Sequence, residues 1–304
     1  MPEWETMHAP VTPMKALRRL PWGLAILALV ACAPALADPA LWVAKSATAT
    51  VYLFGTVHVL PDGAHWHDPV LDKALAASGT LYVEEDDDNP VTMQMLVLKY
   101  GMDLQHPLST GLDAVDRKRL AAAAGAIGVT GGSTTLNAMK PWLAALTLSV
   151  APIVKAGYDP KSGADKQLEA EFKAAGKPVD AFETAESQIR LFAGMSHALQ
   201  LDLLHDALDD YARGPAEIKA LIHAWLSGDV DAIDRNVDDG MRRHYPDLYR
   251  VLLVDRNRHF ARRIAEILKQ RGTVFVAVGA GHLAGPDGVQ AQLAKLGIRT
   301  ERVH

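Results

Sequence analysis

The strongest runs of hydrophobic residues lie towards the two ends of the chain. Residues 41–44 and 50–54 are short, β-prone runs with a polar pair between them, a pattern that predicts a hairpin. Residues 80–83 form a third run of this kind. Residues 273–278 are continuously apolar, which is typical of a strand buried on both faces of a sheet. Shorter strands are predicted at 177–182 and 298–303.

The chain between about residues 90 and 270 has mainly helical patterning. Apolar spacing and capping residues predict helices over 68–78, 90–100, 113–124, 140–156, 164–175, 186–228, 230–270 with breaks near Gly240 and Pro246, and 285–296. We therefore expect an α/β fold. Its mixed central sheet is assembled from N- and C-terminal strands, and the large helical middle region is inserted or packed as a lid. Residues 38–304 are expected to form one domain.

The first 37 residues have the pattern of a secretory signal peptide. A basic stretch at 15–19 precedes an apolar run at 24–31, and small residues at 35–37 end in Ala-x-Ala. The apolar run is too short for a membrane span, which needs ~20 residues. We expect the body of the protein to be exported, to the periplasm or the medium.

A second cleavage point changes how the exported protein would be held. Residues 29–32 resemble a bacterial lipobox, and cleavage there would leave Cys32 lipid-modified at the new N-terminus. Cleavage after Ala37 would instead release a soluble protein. Both alternatives stay open, so membrane attachment through a lipidated Cys32 is an expectation beside the soluble form.

Composition removes several classes of function. The formal net charge is -5 and the sequence has no basic cluster, which argues against nucleic acid as a partner. Cys32 is the only cysteine, so an intramolecular disulfide, a cysteine nucleophile and a Cys-ligated zinc are excluded from the body. The sequence has no Gly-x-Ser-x-Gly elbow, no His-Glu-x-x-His helix and no P-loop.

Two Gly-x-x-His segments each follow an apolar strand directly. Gly55 opens the first and His58 ends it, and Gly279 and His282 do the same near the other end of the chain. The carboxyl ends of strands in an α/β sheet form the edge where ligands bind, and glycine allows the sharp turn there. If the two strands are neighbours, we expect the histidines to face one another. The alternative is two turn histidines that donate to backbone carbonyls.

A third strand end supplies carboxylates. Alternation along the strand places Glu84 and Glu85 on opposite faces, so that one can point into a site. The acidic residues 86–88 that follow are expected to be a solvated turn. Two histidines and one carboxylate match a site for a divalent metal such as Mn, Co or Zn, so we expect His58, His282 and Glu84 to be metal ligands.

Other polar residues are weaker candidates. His65 and His67 could add metal ligands, although a polar loop anchored by Trp66 is the preferred interpretation. Glu183 lies at the end of a short strand, where it either caps a helix or joins the site. Arg256 lies within a helix, where a charged face is the default interpretation, and the alternative is that it clamps a carboxylate or polarises a carbonyl.

Together these segments resemble the TraB/GumN proteins, which are related to the Tiki membrane proteases. The resemblance rests on six segments in order along nearly the whole mature chain: residues 52–58, residues 81–84 with Asp86, residues 163–165 with Leu168, Glu183-Thr184 with Gln188, Arg256-Asn257, and residues 278–283 with Gly285. The third segment departs from the family pattern, since Ala164 stands where valine is usual.

The resemblance implies a fold like that of erythromycin esterases and haem-binding ChaN-like proteins. It also implies an active site made of the two histidines and the strand glutamate, with Gly55, Gly279, Asp165, Glu183 and Gln188 as further candidates. The Tiki branch points to divalent-metal-dependent peptide cleavage. The leading hypothesis is therefore an exported metal-dependent peptidase, in which Arg256 and Asn257 orient substrate or stabilise the oxyanion.

Two alternatives use the same residues differently. In the first, an esterase-like hydrolase works without metal, with His58 as general base and Glu84 orienting it. In the second, the protein is not an enzyme but an envelope protein that binds haem or a peptide, with the two histidines as axial ligands. The expected partner is accordingly a peptide or a small molecule.

Overall fold

The structure is a computed structural model that describes residues 37–85, 89–127 and 131–303. The predicted signal peptide, apart from its last residue, lies outside the described residues. So do Cys32 and the acidic residues 86–88. In the described part of the chain, no helix is both long enough and apolar enough to cross a membrane.

Six strands form one mixed sheet: β1 Leu41–Lys45, β2 Ala49–Thr56, β3 Thr80–Glu85, β4 Val179–Glu183, β5 Gly272–Gly279 and β6 Thr300–Arg302. Their order across the sheet is β4-β3-β5-β2-β1-β6. Strands β4, β3, β5 and β2 are parallel, whereas β1 pairs antiparallel with both β2 and β6. The prediction of a mixed sheet built from both ends of the chain is confirmed, because β2, near the N-terminal end, pairs directly with β5, near the C-terminal end.

 The mainly helical middle of the chain lies between Thr56, at the end of β2, and Gly272, at the start of β5.

The α-helices are α1 Pro69–Ala77, α2 Pro90–Gly101, α3 Ala114–Ile127, α4 Ser133–Asn137, α5 Pro141–Lys155, α6 Ala164–Ala174, α7 Ala185–Ala193, α8 His197–Arg213, α9 Pro215–Leu226, α10 Val230–Ile233, α11 Asp239–His244, α12 Pro246–Tyr249, α13 Asp255–Ile267 and α14 Val289–Lys295. Two π-helical turns, Asp234–Asp238 and Arg250–Val254, interrupt the last helical stretch before β5. The predicted helical middle region is confirmed, with β4 inside it.

The helical stretch 230–270 breaks at only one of the two predicted places. Gly240 lies inside α11, where no break occurs. The chain breaks instead at Tyr245, whose φ of -133° and ψ of 61° are not helical. Tyr245 precedes Pro246, and the proline ring clashes with a helical conformation of the residue before it. The two π-helical turns have no such marker in the sequence.

Two buried clusters cover the two faces of the sheet, and a third holds the helical region together. Phe54, Trp66 and Trp225 pack on one face, with α1, α6 and α9 around them. Phe260 and Ile264 of α13 pack on the other face. The third cluster joins α5 to α8 and does not include any strand. The sheet is thus a rigid platform whose strand ends can hold side chains in fixed positions.

Candidate functional site

The predicted site residues meet along one edge of the sheet. The parallel strands β4, β3, β5 and β2 all end there, and Thr56 lies opposite Gly279 in the ladder. The two Gly-x-x-His turns are therefore neighbours, as expected. A Cβ added at Gly55 would lie 3.0 Å from the Cα of Ala280, so the close approach of the two turns requires glycine.

His282 is buried, and both of its ring nitrogens are in use. Its Nδ1 lies 2.5 Å from the Oδ1 of Asn257, and its Nε2 lies 3.0 Å from the Nη1 of Arg256. A guanidinium can only donate, so Nε2 accepts and Nδ1 carries the proton. Burial lowers the pKa of His282 to about 4, with Arg256 acting in the same direction against Glu84. The ring is therefore neutral at pH 7.

Arg256 is the hub of this edge. Its Nε and Nη2 bind both carboxylate oxygens of Glu183 at 2.9 Å, and Nη2 also lies 2.7 Å from the Oε2 of Glu84. Nη1 contacts His282 and, at 3.4 Å, the carbonyl oxygen of Leu252. All five N–H groups of the guanidinium are used inside the site. In this arrangement Arg256 holds other side chains and has no N–H group left for a substrate.

Glu84 is held as a carboxylate by its neighbours. Its Oε1 accepts the backbone N–H of Gly279 at 2.5 Å and lies 3.5 Å from the Nε2 of His282. A Cβ added at Gly279 would lie 3.0 Å from that oxygen, so this glycine makes room for the carboxylate. Burial acts to raise the pKa of Glu84, but the surrounding positive charge, Arg256 included, and the N–H of Gly279 hold it well below its usual range.

Glu183 is the second carboxylate bound to Arg256, and it is itself held by Gln188. Gln188 donates from Nε2 to the Oε2 of Glu183 at 3.1 Å, so the order of contacts is Gln188, Glu183, Arg256 and then Glu84. Helix α7 begins at Ala185, directly after β4, and Thr184 is its N-cap. Of the two interpretations of Glu183, the structure therefore shows the one in which it joins the site, while Thr184 caps the helix.

His58 differs from the rest of the site because its side chain is 74% exposed. Its Nδ1 lies 3.0 Å from the Oδ2 of Asp165, in the first turn of α6. The N–H of Ala164 donates to the carbonyl of Val57, which fixes that turn beside the histidine. The hydrogen bond to Asp165 raises the pKa of His58 to about 8. The carboxylate that orients His58 is thus Asp165, and the expected orientation by Glu84 is corrected.

With this geometry established, comparison with known proteins identifies the relationship. The family model described as TraB/PrgY/gumN family matches residues 40–302. The chain belongs to the TraB/PrgY/gumN family. A search of the curated proteins and a search of the solved structures found no match. The predicted resemblance is confirmed at the level of the family.

The histidines of the loop after β2 lie apart from the site of this TraB/PrgY/gumN protein. His67 binds Asp72 at 2.7 Å through Nδ1 and Glu171 at 3.3 Å through Nε2. Trp66 is buried, and its Nε1 donates to the Oε1 of Gln167 at 3.2 Å. The preferred interpretation, a loop anchored by the tryptophan, agrees with these contacts.

The residue types at the edge would suit a divalent metal, but their present contacts compete with one. The Nε2 of His282 accepts from Arg256, and a carboxylate oxygen of Glu84 binds the same guanidinium. Within the described ranges, no group of three or more His, Cys, Asp or Glu side chains has an arrangement that could hold a metal ion. The set His58, His282 and Glu84 would have to move Arg256 aside before it could bind one.

Asp238 is a further group at this edge that the sequence did not single out. It is 1% exposed and ends a π-helical turn beside the residue that precedes His282, since a Cβ added at Gly281 would lie 3.0 Å from its Oδ1. Burial, with Asp234 adding to it, raises the pKa of Asp238 to about 8. An aspartate within a helical stretch usually marks a solvated face, so the sequence carries no signal for this burial.

Proposed function

We propose that the protein is a hydrolase in which His58 is the general base. The observation that carries the proposal is the pairing of His58 with Asp165, in which the Nε2 of an exposed ring has no hydrogen-bond partner among the described residues. A carboxylate on one ring nitrogen fixes the tautomer, so that the other nitrogen presents its lone pair when the ring is neutral.

The expected reaction is attack of water on a carbonyl carbon, with a peptide bond as the first substrate to test. The Nε2 of His58 takes a proton from water while the water oxygen forms a bond to the carbonyl carbon. The protonated ring then gives that proton to the leaving amine as the carbon–nitrogen bond breaks. Asp165 stabilises the imidazolium that exists between the two steps.

The buried part of the edge has a positioning function in this proposal. His282 is neutral with both nitrogens in use, and Glu84 stays ionised, so neither is free to move a proton at pH 7. Asn257 fixes the ring of His282 and donates from Nδ2 to the carbonyl of Asp287 at 2.9 Å. Preorganised charges that do not rearrange during a reaction are an effective source of transition-state stabilisation.

A peptide-library digest followed by mass spectrometry tests this function. We expect cleavage by the wild-type protein, and loss of it in His58→Ala. His106→Ala is the matched control, because His106 is 78% exposed and binds Asp103 through Nδ1 but lies elsewhere in the chain. Equal cleavage by His58→Ala and His106→Ala would remove the general base from the proposal.

Metal-dependent peptide hydrolysis is the second candidate, and one contact pattern favours it. The Oδ1 of Asp165 is buried with no hydrogen-bond partner in the described part of the chain, although its partner oxygen binds His58. A carboxylate oxygen in this condition is an acceptor that a cation would satisfy. Asp165 would join His58, His282 and Glu84 as a ligand, and the ion would supply an acidic, bound water as the nucleophile.

Calorimetric titration with Mn²⁺, Co²⁺ and Zn²⁺ separates the two candidates. The metal-dependent route predicts binding that His58→Ala and His282→Ala both weaken, and activity that a strong chelator removes and the ion restores. Activity that survives chelation, with unchanged binding in both variants, would leave the general-base route alone.

We also propose that the protein acts outside the cytoplasm, on the basis of the signal-peptide pattern in residues 1–37. Fractionation of cells that express the full chain, with detection of the body by antibody, is the test. Export with membrane retention that Cys32→Ala abolishes would support lipid attachment. Export with no retention would support the soluble form, and a cytoplasmic product would contradict both.

A further inference from the structure

A cavity of about 540 Å³ lies in the helical region beside the candidate site. Its walls come from α5, α8, α9, α11 and the π-helical turn before α11. Aliphatic side chains make up part of the wall, among them Ile153, Leu221 and Val237. The cavity therefore has the size and the apolar surface to take a side chain or a small organic group.

The polar part of the wall carries an excess of acidic groups. The lining includes four carboxylates but only two arginines: Asp206, Asp210, Glu217 and Asp239, compared with Arg213 and Arg235. Arg213 forms ion pairs with both Asp210 and Glu217, so these two acids are already compensated. Asp206 has no ion pair among the described residues, although it is partly buried in the wall. A cation placed in the cavity would meet a carboxylate that no described cationic group binds directly and whose charge only Arg213, shared with Asp210 and Glu217, offsets.

Backbone acceptors add to this preference. Pro152 lies inside α5 and has no N–H, so it cannot make the usual helical hydrogen bond to the carbonyl of Leu148. Both residues line the cavity. Helix α8 ends at Arg213, and its C-cap Gly214 also lines the cavity, which places the negative end of a helix dipole there. These features favour a ligand that carries N–H donors and a positive charge.

One residue connects the cavity to the histidine turn. Val237 lines the cavity, and its Cγ1 would lie 3.2 Å from a Cβ added at Gly281. Gly281 directly precedes His282. A peptide bound at the exposed ring of His58 would have to extend past this turn to place a side chain in the cavity.

We propose that this cavity is a substrate subsite for a basic side chain, lysine or arginine, of a peptide. The inference rests on the proposed peptide hydrolysis and adds the chemistry of the substrate. The aliphatic stem of the side chain packs on the apolar wall, and its charged end meets Asp206 and the carbonyl of Leu148, to which Pro152 cannot donate.

Binding of two matched peptides to the His58→Ala protein tests the subsite without needing catalysis. The peptides are Ala-Ala-Leu-Lys-Ala-Ala and the same sequence with norleucine, an uncharged side chain of similar length, in place of lysine. At pH 7.5 the carboxyl of Asp206 is ionised, because burial and Asp210 raise its pKa only to about 6. We expect calorimetry to show about tenfold tighter binding of the lysine peptide.

Two substitutions on α8, each made in the His58→Ala protein, locate the effect. Asp206→Asn is expected to reduce the preference for lysine to about twofold or less, since it removes the charge and keeps the shape. Asp202→Asn is the control, because Asp202 lies one turn earlier on the same helix and does not line the cavity. Equal affinity for the two peptides, or a preference that Asp206→Asn leaves unchanged, would overturn the subsite.

Hydrolysis of the same two peptides by the wild-type protein separates this inference from the proposed function. A preference for lysine in binding without any hydrolysis would contradict the proposed function and support the binding site. Hydrolysis of both peptides at equal rates, with equal binding, would contradict the subsite and support the function.

Discussion

The two histidines that end the Gly-x-x-His turns come from the same short motif and lie at neighbouring strand ends, yet their surroundings are opposite. His58 is 74% exposed, has a carboxylate partner and has its pKa raised to about 8. His282 is buried between Asn257 and Arg256 and has its pKa lowered to about 4. One ring has a nitrogen available to solvent, whereas the other has none.

This difference shows that the role of a residue in such a site is set by its partners rather than by its motif. A carboxylate partner on Nδ1 favours the charged ring, whereas an arginine on Nε2 forbids a proton there. His58 can therefore exchange protons with a substrate near neutral pH, and His282 is a fixed part of the buried wall.

Removal of the exposed ring is expected to have the largest effect. His58→Ala should lower kcat about 10²- to 10⁴-fold on any substrate that the wild type hydrolyses, because it removes the general base. The free energy of unfolding should fall by no more than about 2 kcal/mol, because the ring itself is exposed, although its partner Asp165 is mostly buried. Steady-state kinetics and urea unfolding measure the two quantities.

A kinetic effect that is larger in free energy than the stability effect is what distinguishes His58 from a structural residue. His106→Ala, with a similarly exposed ring paired to Asp103, should leave both kcat and stability near wild type. A loss of stability in His58→Ala as large as its loss of activity would contradict the assigned role.

Substitution of Arg256, which binds the buried His282, is expected to lower the free energy of unfolding. Arg256→Met leaves the carboxylates of Glu84 and Glu183 buried without their shared partner. Breaking a buried pair in this way costs about 3–5 kcal/mol in the free energy of unfolding. The measurement is urea unfolding at pH 7, with m-values compared to confirm that the same transition is observed.

An arginine on the same helix supplies the control. Arg258 is 49% exposed and pairs with Asp255, so Arg258→Met should cost less than about 1 kcal/mol. The double variant Arg256→Met with Glu183→Gln should recover part of the lost stability, because it removes one of the two stranded charges. Equal losses in the free energy of unfolding for Arg256→Met and Arg258→Met would show that Arg256 does not hold Glu84 and Glu183 together.

The pH dependence of activity is the third test of the contrast. A general base works only when it is unprotonated, so kcat/KM should fall about tenfold per pH unit below the pKa of His58. That pKa is raised to about 8 by Asp165, so activity should increase through pH 7 and level off above pH 8. Asp165→Asn removes the stabilising charge and should move the midpoint down towards the usual histidine value.

The direction of this shift separates a proton-transfer role from a purely structural one. Asp165→Asn should lower the maximum rate and displace the profile to lower pH together. Asp159→Asn, on the segment before α6 and without a contact to His58, should keep the wild-type midpoint. A midpoint that is the same in all three proteins would assign the titration to another group.

The sequence predicted the scaffold and the members of the site better than it predicted their contacts. Apolar runs at both ends of the chain indicated the sheet, and its edge brought together His58, Glu84, Glu183 and His282, because parallel strands end on the same side. Which carboxylate pairs with which cation depends on side-chain packing between distant segments. Asp165 and His58 are 107 residues apart, and a local pattern cannot show such a contact.

Buried polar residues of the helical region were the least predictable part. Asp238 ends a π-helical turn that nothing in the local sequence marks, and it lies against Gly281 only because the chain folds back at that point. Asp206 belongs to a run of acids on α8 that resembles a solvated face, although it lines a cavity. In both places, tertiary packing overrides what helical periodicity indicates.

The smallest expected effect concerns a third histidine, which has a raised pKa but lies outside the site. Its hydrogen bond to Glu171, with Asp72 contributing, raises the pKa of His67 to about 9 from 6.5. A raised pKa stabilises the fold fully below pH 6.5, and the contribution disappears as the pH rises through 9. His67→Gln should therefore lower the free energy of unfolding by up to about 1 kcal/mol at pH 6, a value limited by solvent screening, and by almost nothing at pH 10.

Urea unfolding at pH 6, 8 and 10 measures this difference, with His65→Gln as the exposed neighbour for comparison. A cost that stays constant across the three pH values would mean that His67 contributes by packing on Trp66 and not by its charge. Activity should be unaffected by His67→Gln at each pH, because His67 pairs with Asp72 and Glu171 outside the candidate site.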